Sequence, residues 1–259
     1  MFLFARVTLQ VLLKRHLNQL RVRCARPWKP IPVNPVLFRR PKEYYKAMLT
    51  ALIDYESGNL HSAKKAFERM AADLANEDVI VTSDPDIIRK ADRIVLPGDG
   101  AFPACQASLT SKTGLLEALK EGVESQGKPF LGICVGMQMM ASRGHEFEPT
   151  DGLNWIEGDI RGIKPAAPRM KIPHMGWNDL VISGNHPVLA GLQTGDHVYF
   201  VHSYHFIVSN PEDRLAHVDY GGKITAIVGN GTRIGMQFHP EKSQSTGLRL
   251  ISNFLSWRP

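Results

Sequence analysis

Residues 129–141 read Pro129-Phe130-Leu131-Gly132-Ile133-Cys134-Val135-Gly136-Met137-Gln138-Met139-Met140-Ala141. The apolar run Pro129–Ile133 has the character of a buried strand, and Met137–Ala141 that of a helix. Cys134 stands at the corner between them, with a glycine two residues before it and another two after. This is the form of a nucleophile elbow with cysteine in place of serine. A sharp strand-to-helix turn strains the residue at its tip and crowds its second neighbours, so both must be small. The same turn sets the thiol at a helix N-terminus, where backbone dipoles favour the thiolate. A buried structural cysteine beside a glycine turn is the competing explanation of Gly-x-Cys-x-Gly taken alone.

On either side of this stretch the pattern is regular. Upstream, strand-like Leu49–Ile53, Val79–Thr82 and Arg93–Leu96 alternate with helix-like Leu60–Leu74, Ile87–Lys90 and Leu115–Val123. Strands and helices in alternation at short loop distances imply a parallel sheet covered on both faces. Downstream, strands dominate: Gly158–Ile163, Val198–His202, Leu215–Val218, Ile224–Val228 and Ile234–Gln237, with a last helix at Gly247–Trp257. The expected fold is α/β, a three-layer sandwich with a mostly parallel central sheet and a strand-rich second half.

Two further segments carry chemistry. Phe238-His239-Pro240-Glu241 follows a predicted strand. Residues two apart on an extended chain project to one side, so Glu241 would orient the His239 imidazole toward a nucleophile. Alone, such a histidine is more commonly a surface residue at a turn. About a hundred residues upstream, however, lies the cysteine elbow. Pro97-Gly98-Asp99-Gly100-Ala101-Phe102 ends another predicted strand, and its glycines allow backbone N–H groups to approach a ligand closely. Gly98 and Asp99 are therefore candidates for an oxyanion site, with Val135, the residue after the cysteine, supplying a second N–H. Without the other two motifs this would be an ordinary glycine turn.

Composition excludes several classes. The 259 residues are 43% apolar and 22% charged, as in an ordinary globular protein. Three scattered cysteines make neither a disulfide framework nor a zinc pattern, and point to a reducing, cytoplasmic setting. No metal or cofactor motif stands out. The net charge of +6 is misleading: residues 1–47 hold eleven Lys or Arg against one acid, Glu43, leaving a net of about −4 for residues 48–259. Nucleic-acid binding is accordingly not expected of the body. The 1–47 extension is basic and Pro-rich, with five prolines between Pro27 and Pro41, and lacks a run that would span a bilayer. Three readings stand for it: an over-called reading frame with Met48 as the true start, a disordered tail, or a targeting segment. The body, residues 48–259, is one expected domain.

The elbow and His239-Pro240-Glu241 resemble the class I glutamine amidotransferase family. Asp54-Tyr55 with Ser57-Gly58-Asn59, Pro173-His174-Met175-Gly176-Trp177-Asn178, and Phe200-Val201-His202-Ser203-Tyr204 resemble the branch formed by the glutaminase subunits of imidazole glycerol phosphate synthase. The resemblance implies a triad of Cys134, His239 and Glu241 that hydrolyses L-glutamine. It implies substrate contacts at Gly100, Gln138, Glu146, Ser203 and Tyr204, and gives His202 a structural or interface place rather than that of the base. It implies a heterodimer with a (β/α)₈ barrel cyclase, met through Trp177, Tyr199 and Lys242. Ammonia would pass to that partner for imidazole glycerol phosphate and aminoimidazole carboxamide ribonucleotide synthesis, in histidine biosynthesis. The Pro97–Gly100 segment would gate hydrolysis. The alternatives are an amidotransferase of another pathway, a free-standing cysteine hydrolase of the same fold, and a non-catalytic subunit.

Overall fold

The computed structural model describes residues 47–56, 58–165 and 170–259. The reading of the N-terminal extension, and Ser57 within its motif, lie outside the described residues. The first half runs β1 (Met48–Ile53), α1 (Leu60–Ala72), β2 (Glu77–Thr82), α2 (Pro85–Lys90), β3 (Arg93–Gly98), α3 (Phe102–Ser111), α4 (Leu115–Lys120), β4 (Phe130–Cys134) and α5 (Val135–Gln138). The second half runs β5 (Arg143–Glu146), β6 (Glu148–Asp151), β7 (Gly158–Gly162), β8 (His174–Asp179), β9 (Val181–Ile182), β10 (His197–His202), β11 (Tyr204–Val208), β12 (Arg214–Asp219), β13 (Lys223–Asn230), β14 (Arg233–Met236) and α6 (Gln244–Ser256).

Among the described residues the central sheet has eight strands in the order β2-β1-β3-β4-β14-β13-β12-β9. The pairings from β2 to β14 are parallel, and those from β14 onward are antiparallel. β3 and β4 lie in the middle and every residue in them is buried, as a sheet covered on both faces demands. That burial includes Arg93, which pairs with the equally buried Glu77 at 2.8 Å, so the charge is not left alone in the core. α1 packs on α6 through an edge-to-face Phe67–Phe254 contact, while α2 packs on α4. Local signals start the helices. The Asn59 side chain accepts from the Ser62 amide ahead of α1, and Asp84 accepts from Asp86 ahead of α2, which begins with Pro85. Two smaller sheets, β10-β8 and β11-β7-β5-β6, stand apart from the large one.

Several elements differ from their sequence reading. The helix expected over Met137–Ala141 is the single turn α5. It stops because the carbonyls of Met139, Met140 and Ala141 accept instead from the amides of Leu153, Trp155 and Asn154. α3 has no counterpart in the sequence reading: it buries only Phe102, Cys105 and Leu109 among small polar residues, so its apolar stripe is faint. The β5–β6 hairpin is charged and was equally silent. No helix among the described residues is long and apolar enough to cross a membrane.

Candidate active site

β3, β4 and β14 are neighbours in the sheet, and their C-terminal ends carry the three motifs. Parallel pairing sets Gly98 opposite Cys134 and Met236 opposite Ile133. Sequence separation between Cys134 and His239 thus becomes lateral adjacency of strands.

Cys134 has φ +55°, a region that costs a non-glycine residue energy and persists where surroundings enforce it. The glycines show how tight the corner is. A Cβ on Gly132 would lie 2.5 Å from the Gly136 carbonyl oxygen, and one on Gly136 would collide with the Leu96 carbonyl. On Gly98 it would come within 2.9 Å of the Gly136 amide nitrogen. The close approach of β3 to the turn therefore needs a glycine on each side of the contact, Gly98 in β3 and Gly136 in α5. The Val135 amide falls in the first turn of α5, where amides have no intrahelical acceptor.

His239 and Glu241 meet, but not on an extended strand. β14 ends at Met236, and Pro240–Lys242 form a 3₁₀ turn that begins at His239. Proline suits the first position of such a turn, where its missing N–H is not needed. The turn brings Glu241 Oε1 to 2.9 Å from His239 Nδ1, with both side chains almost wholly buried. Burial works against a charge on the imidazole. Hydrogen bonds donated to the Cys134 sulfur and the Glu241 carboxylate outweigh it and raise the His239 pKa to about 9. Glu241 Oε2 is buried and has no hydrogen-bond partner among the described residues.

A cavity of about 330 Å³ opens over the thiol. Its lining joins Cys134, Val135, His239, Asp99, Gly100, Gln138, Glu146, Ser203 and Tyr204 with Pro173, Val201 and His202. Every residue singled out as a substrate contact is thus on one wall or another of it. Glu146 Oε2 accepts the Phe102 amide at 2.7 Å, so the same carboxylate that faces the cavity also caps α3. Gln138 Nε2 donates to the Tyr204 carbonyl and to Gln237 Oε1, each at 3.1 Å. Gly100, at φ +102°, has open space where a Cβ would stand. The Asp99 carbonyl accepts from the Cys105 thiol at 3.3 Å, and its carboxylate accepts from the Gly58 amide at 2.9 Å. Sequence reasoning missed Gln237, which is wholly buried and reaches toward Cys134, with Nε2 3.9 Å from the sulfur. Its only signal was a polar residue closing an apolar strand. His202 is buried as a neutral ring, its pKa depressed to about 3 chiefly by desolvation.

Trp177 and Tyr199 face one another across β8 and β10, edge to face with centroids 5.8 Å apart. Trp177 is 48% exposed and Met175, two residues before it, 62%. These values place both side chains at the surface rather than in the core. Lys242 is exposed on the 3₁₀ turn, which Ser243 ties to β10 by accepting from the Tyr199 amide. Val201 pairs with Met175, so the apolar face of this ribbon runs to the cavity lining.

The profile of the glutamine amidotransferase class-I family matches residues 51–257. The chain belongs to the class-I glutamine amidotransferase family. Over 212 residues it is 64% identical to the imidazole glycerol phosphate synthase subunit HisH of Ruegeria pomeroyi, and 61% to that of Cereibacter sphaeroides, covering 82% of this chain and all of each relative. The HisH subunit of Rhodopseudomonas palustris is 56% identical over 216 residues, again with all of the relative covered. Among solved structures, a glutamine amidotransferase superposes with a TM-score of 0.60 at 17% identity, covering 80% of this chain and 97% of that one. Another from Thermotoga maritima gives 0.51, also at 17% identity, covering 76% and 77%. At that identity these structures bear on the fold, which is the α/β fold expected.

Proposed function

We propose that this chain is the glutaminase subunit of imidazole glycerol phosphate synthase. It hydrolyses glutamine and passes the ammonia to a barrel cyclase subunit in histidine biosynthesis. The observation that carries the chemistry is the convergence, over one cavity, of a thiol on a strained glycine corner with a carboxylate-held imidazole.

Each step follows from what the groups can do. The Cys134 sulfur attacks the side-chain amide carbon of glutamine, with the proton of the sulfur–imidazole pair held on His239. The developing oxyanion is met by backbone N–H groups of the Gly98–Asp99 segment and of Val135. His239 returns the proton to the departing nitrogen; ammonia leaves and a glutamyl thioester remains. Water then adds, its proton passing to His239, and the carbon–sulfur bond breaks to give glutamate and the thiol. Glu241 keeps Nδ1 protonated, so that Nε2 faces the sulfur. Glu146 would pair with the substrate ammonium, and Gln138, Gly100, Ser203 and Tyr204 would frame its α-carbon end. Trp177, Tyr199 and Lys242 would meet the cyclase: an aromatic pair and a flexible cation are an ordinary docking chemistry.

The test is ammonia release from glutamine by the purified chain, with and without the cyclase subunit and its nucleotide ligand. Expected is release that rises when the loaded cyclase is present. Equal release with and without it would remove the gating role of the Pro97–Gly100 segment. No release under either condition would remove the glutaminase.

A further inference from the structure

We propose that His174 and His202 are positioning residues for glutamine hydrolysis, fixing the Tyr204 carbonyl in the cavity wall through a hydrogen-bond chain that runs one way. The proposal rests on the glutaminase reading above.

The direction of the chain follows from which atoms can donate. His202 Nδ1 lies 2.8 Å from the Tyr204 carbonyl oxygen, which only accepts, so Nδ1 carries the proton. In a neutral ring Nε2 is then an acceptor. It lies 3.0 Å from His174 Nδ1, which must donate. His174 Nε2 is left as an acceptor, and the Asn178 amide nitrogen stands 3.3 Å from it. The second hydrogen of that nitrogen serves the Asp219 carbonyl at 3.3 Å, and Asn178 Oδ1 accepts the Asp179 amide, which fixes the side chain's orientation. Every hydrogen along the line has one destination. A proton added to His202 would set N–H against N–H at 3.0 Å, and one added to His174 would set N–H against the Asn178 amide hydrogens at 3.3 Å.

The rings are held for this purpose. His174 is stacked on Phe200 and on Tyr220, with centroids 4.7 and 4.0 Å away, and the Tyr220 hydroxyl donates to the Lys171 carbonyl. Both imidazoles are buried. At the far end the Tyr204 carbonyl also accepts from Gln138 Nε2, so its two lone pairs are filled by two side chains of the cavity lining. The neighbouring Ser203 carbonyl accepts from the Ile163 amide at 2.8 Å. The peptide wall at Ser203–Tyr204 is thereby locked, and loss of one tether should loosen the site that holds substrate rather than the thiol chemistry.

The experiment is steady-state glutaminase kinetics of the complex with its cyclase subunit. His202→Leu should raise KM for glutamine about tenfold, the worth of a lost buried hydrogen bond, with kcat within about threefold of wild type. His202→Asn sets an amide nitrogen where Nδ1 stood and should recover most of the KM. His174→Phe keeps the ring stack but removes the donor, and should raise KM about threefold to fivefold. Unchanged KM in both apolar variants, a loss confined to kcat, or equal damage from Leu and Asn at 202 would each overturn the proposal. Should His202→Leu fail to fold, long-range ¹H–¹⁵N spectra of histidine-labelled wild type still decide. Both rings should carry the proton on Nδ1, and an Nε2-protonated ring at either position would overturn the chain. A wild-type complex that releases no ammonia would instead overturn the glutaminase reading.

Discussion

At residue 134 the backbone is bent into a conformation that side chains avoid, and the bend presents a sulfur. Cys134→Ala would remove the proposed nucleophile and leave only binding and backbone donors. Ammonia release should fall by about 10³-fold or more in a coupled glutamate assay, with the fold kept by circular dichroism. The buried imidazole next to it makes a second prediction. The folded-state pKa of His239, about 9, lies above its ordinary 6.5. Its contribution to stability is therefore complete below about pH 6.5 and is lost as pH rises through 9. Urea unfolding at pH 6.5 and 9.5 should show that loss, and Glu241→Gln should show less of it. His174 and His202 act oppositely: desolvation depresses them to about 4 and about 3, so their share is present above pH 6.5 and lost as pH falls toward those values. Wild type should thus be most stable near pH 6.5, with His174→Phe flattening the acid side. The reactive letters were legible because a cysteine between two glycines and a His-x-Glu after a strand occur in one chain; each alone has a common structural explanation, and their combination does not. Gln237 and the His174–His202 pair were not, since single polar residues in apolar strands do not reveal whom they meet across a sheet.

The elements explain which glycines matter. A methyl on Gly136 would run into the Leu96 carbonyl of β3, and both β3 and α5 are wholly buried. Gly136→Ala should cost about 3 kcal/mol or more, or prevent folding. Gly100 has an unusual φ but open surroundings, so Gly100→Ala should cost only about 1–2 kcal/mol. Chemical denaturation of the two variants checks the contrast. β1 to β4 were readable because their apolar runs end in turn residues and alternate with amphipathic helices. α3 and the β5–β6 hairpin were not, because tertiary contacts hold them: α3 by the Glu146 cap, the hairpin by its pairing with β7. The Met137–Ala141 helix was over-read for the same reason, since three of its carbonyls are claimed by a distant segment.

For the whole molecule, the exposed ribbon is the test of assembly. Trp177 touches solvent over about half its surface. Trp177→Ala should leave the stability of the isolated chain within about 0.5 kcal/mol of wild type. It should weaken binding to the cyclase by about 2 kcal/mol or more, measured by titration calorimetry. The order of strands carries a longer-range consequence. β4 and β14 lie side by side although roughly a hundred residues of chain separate them, and much of that stretch builds two sheets that stand apart from the large one. Strand order thus brings Cys134 and His239 together, and the detour adds one tie of its own, the His239 amide donating to the Tyr199 carbonyl. A change confined to that detour would then be expected to alter what the cavity admits while β4 and β14 keep Cys134 and His239 in their places.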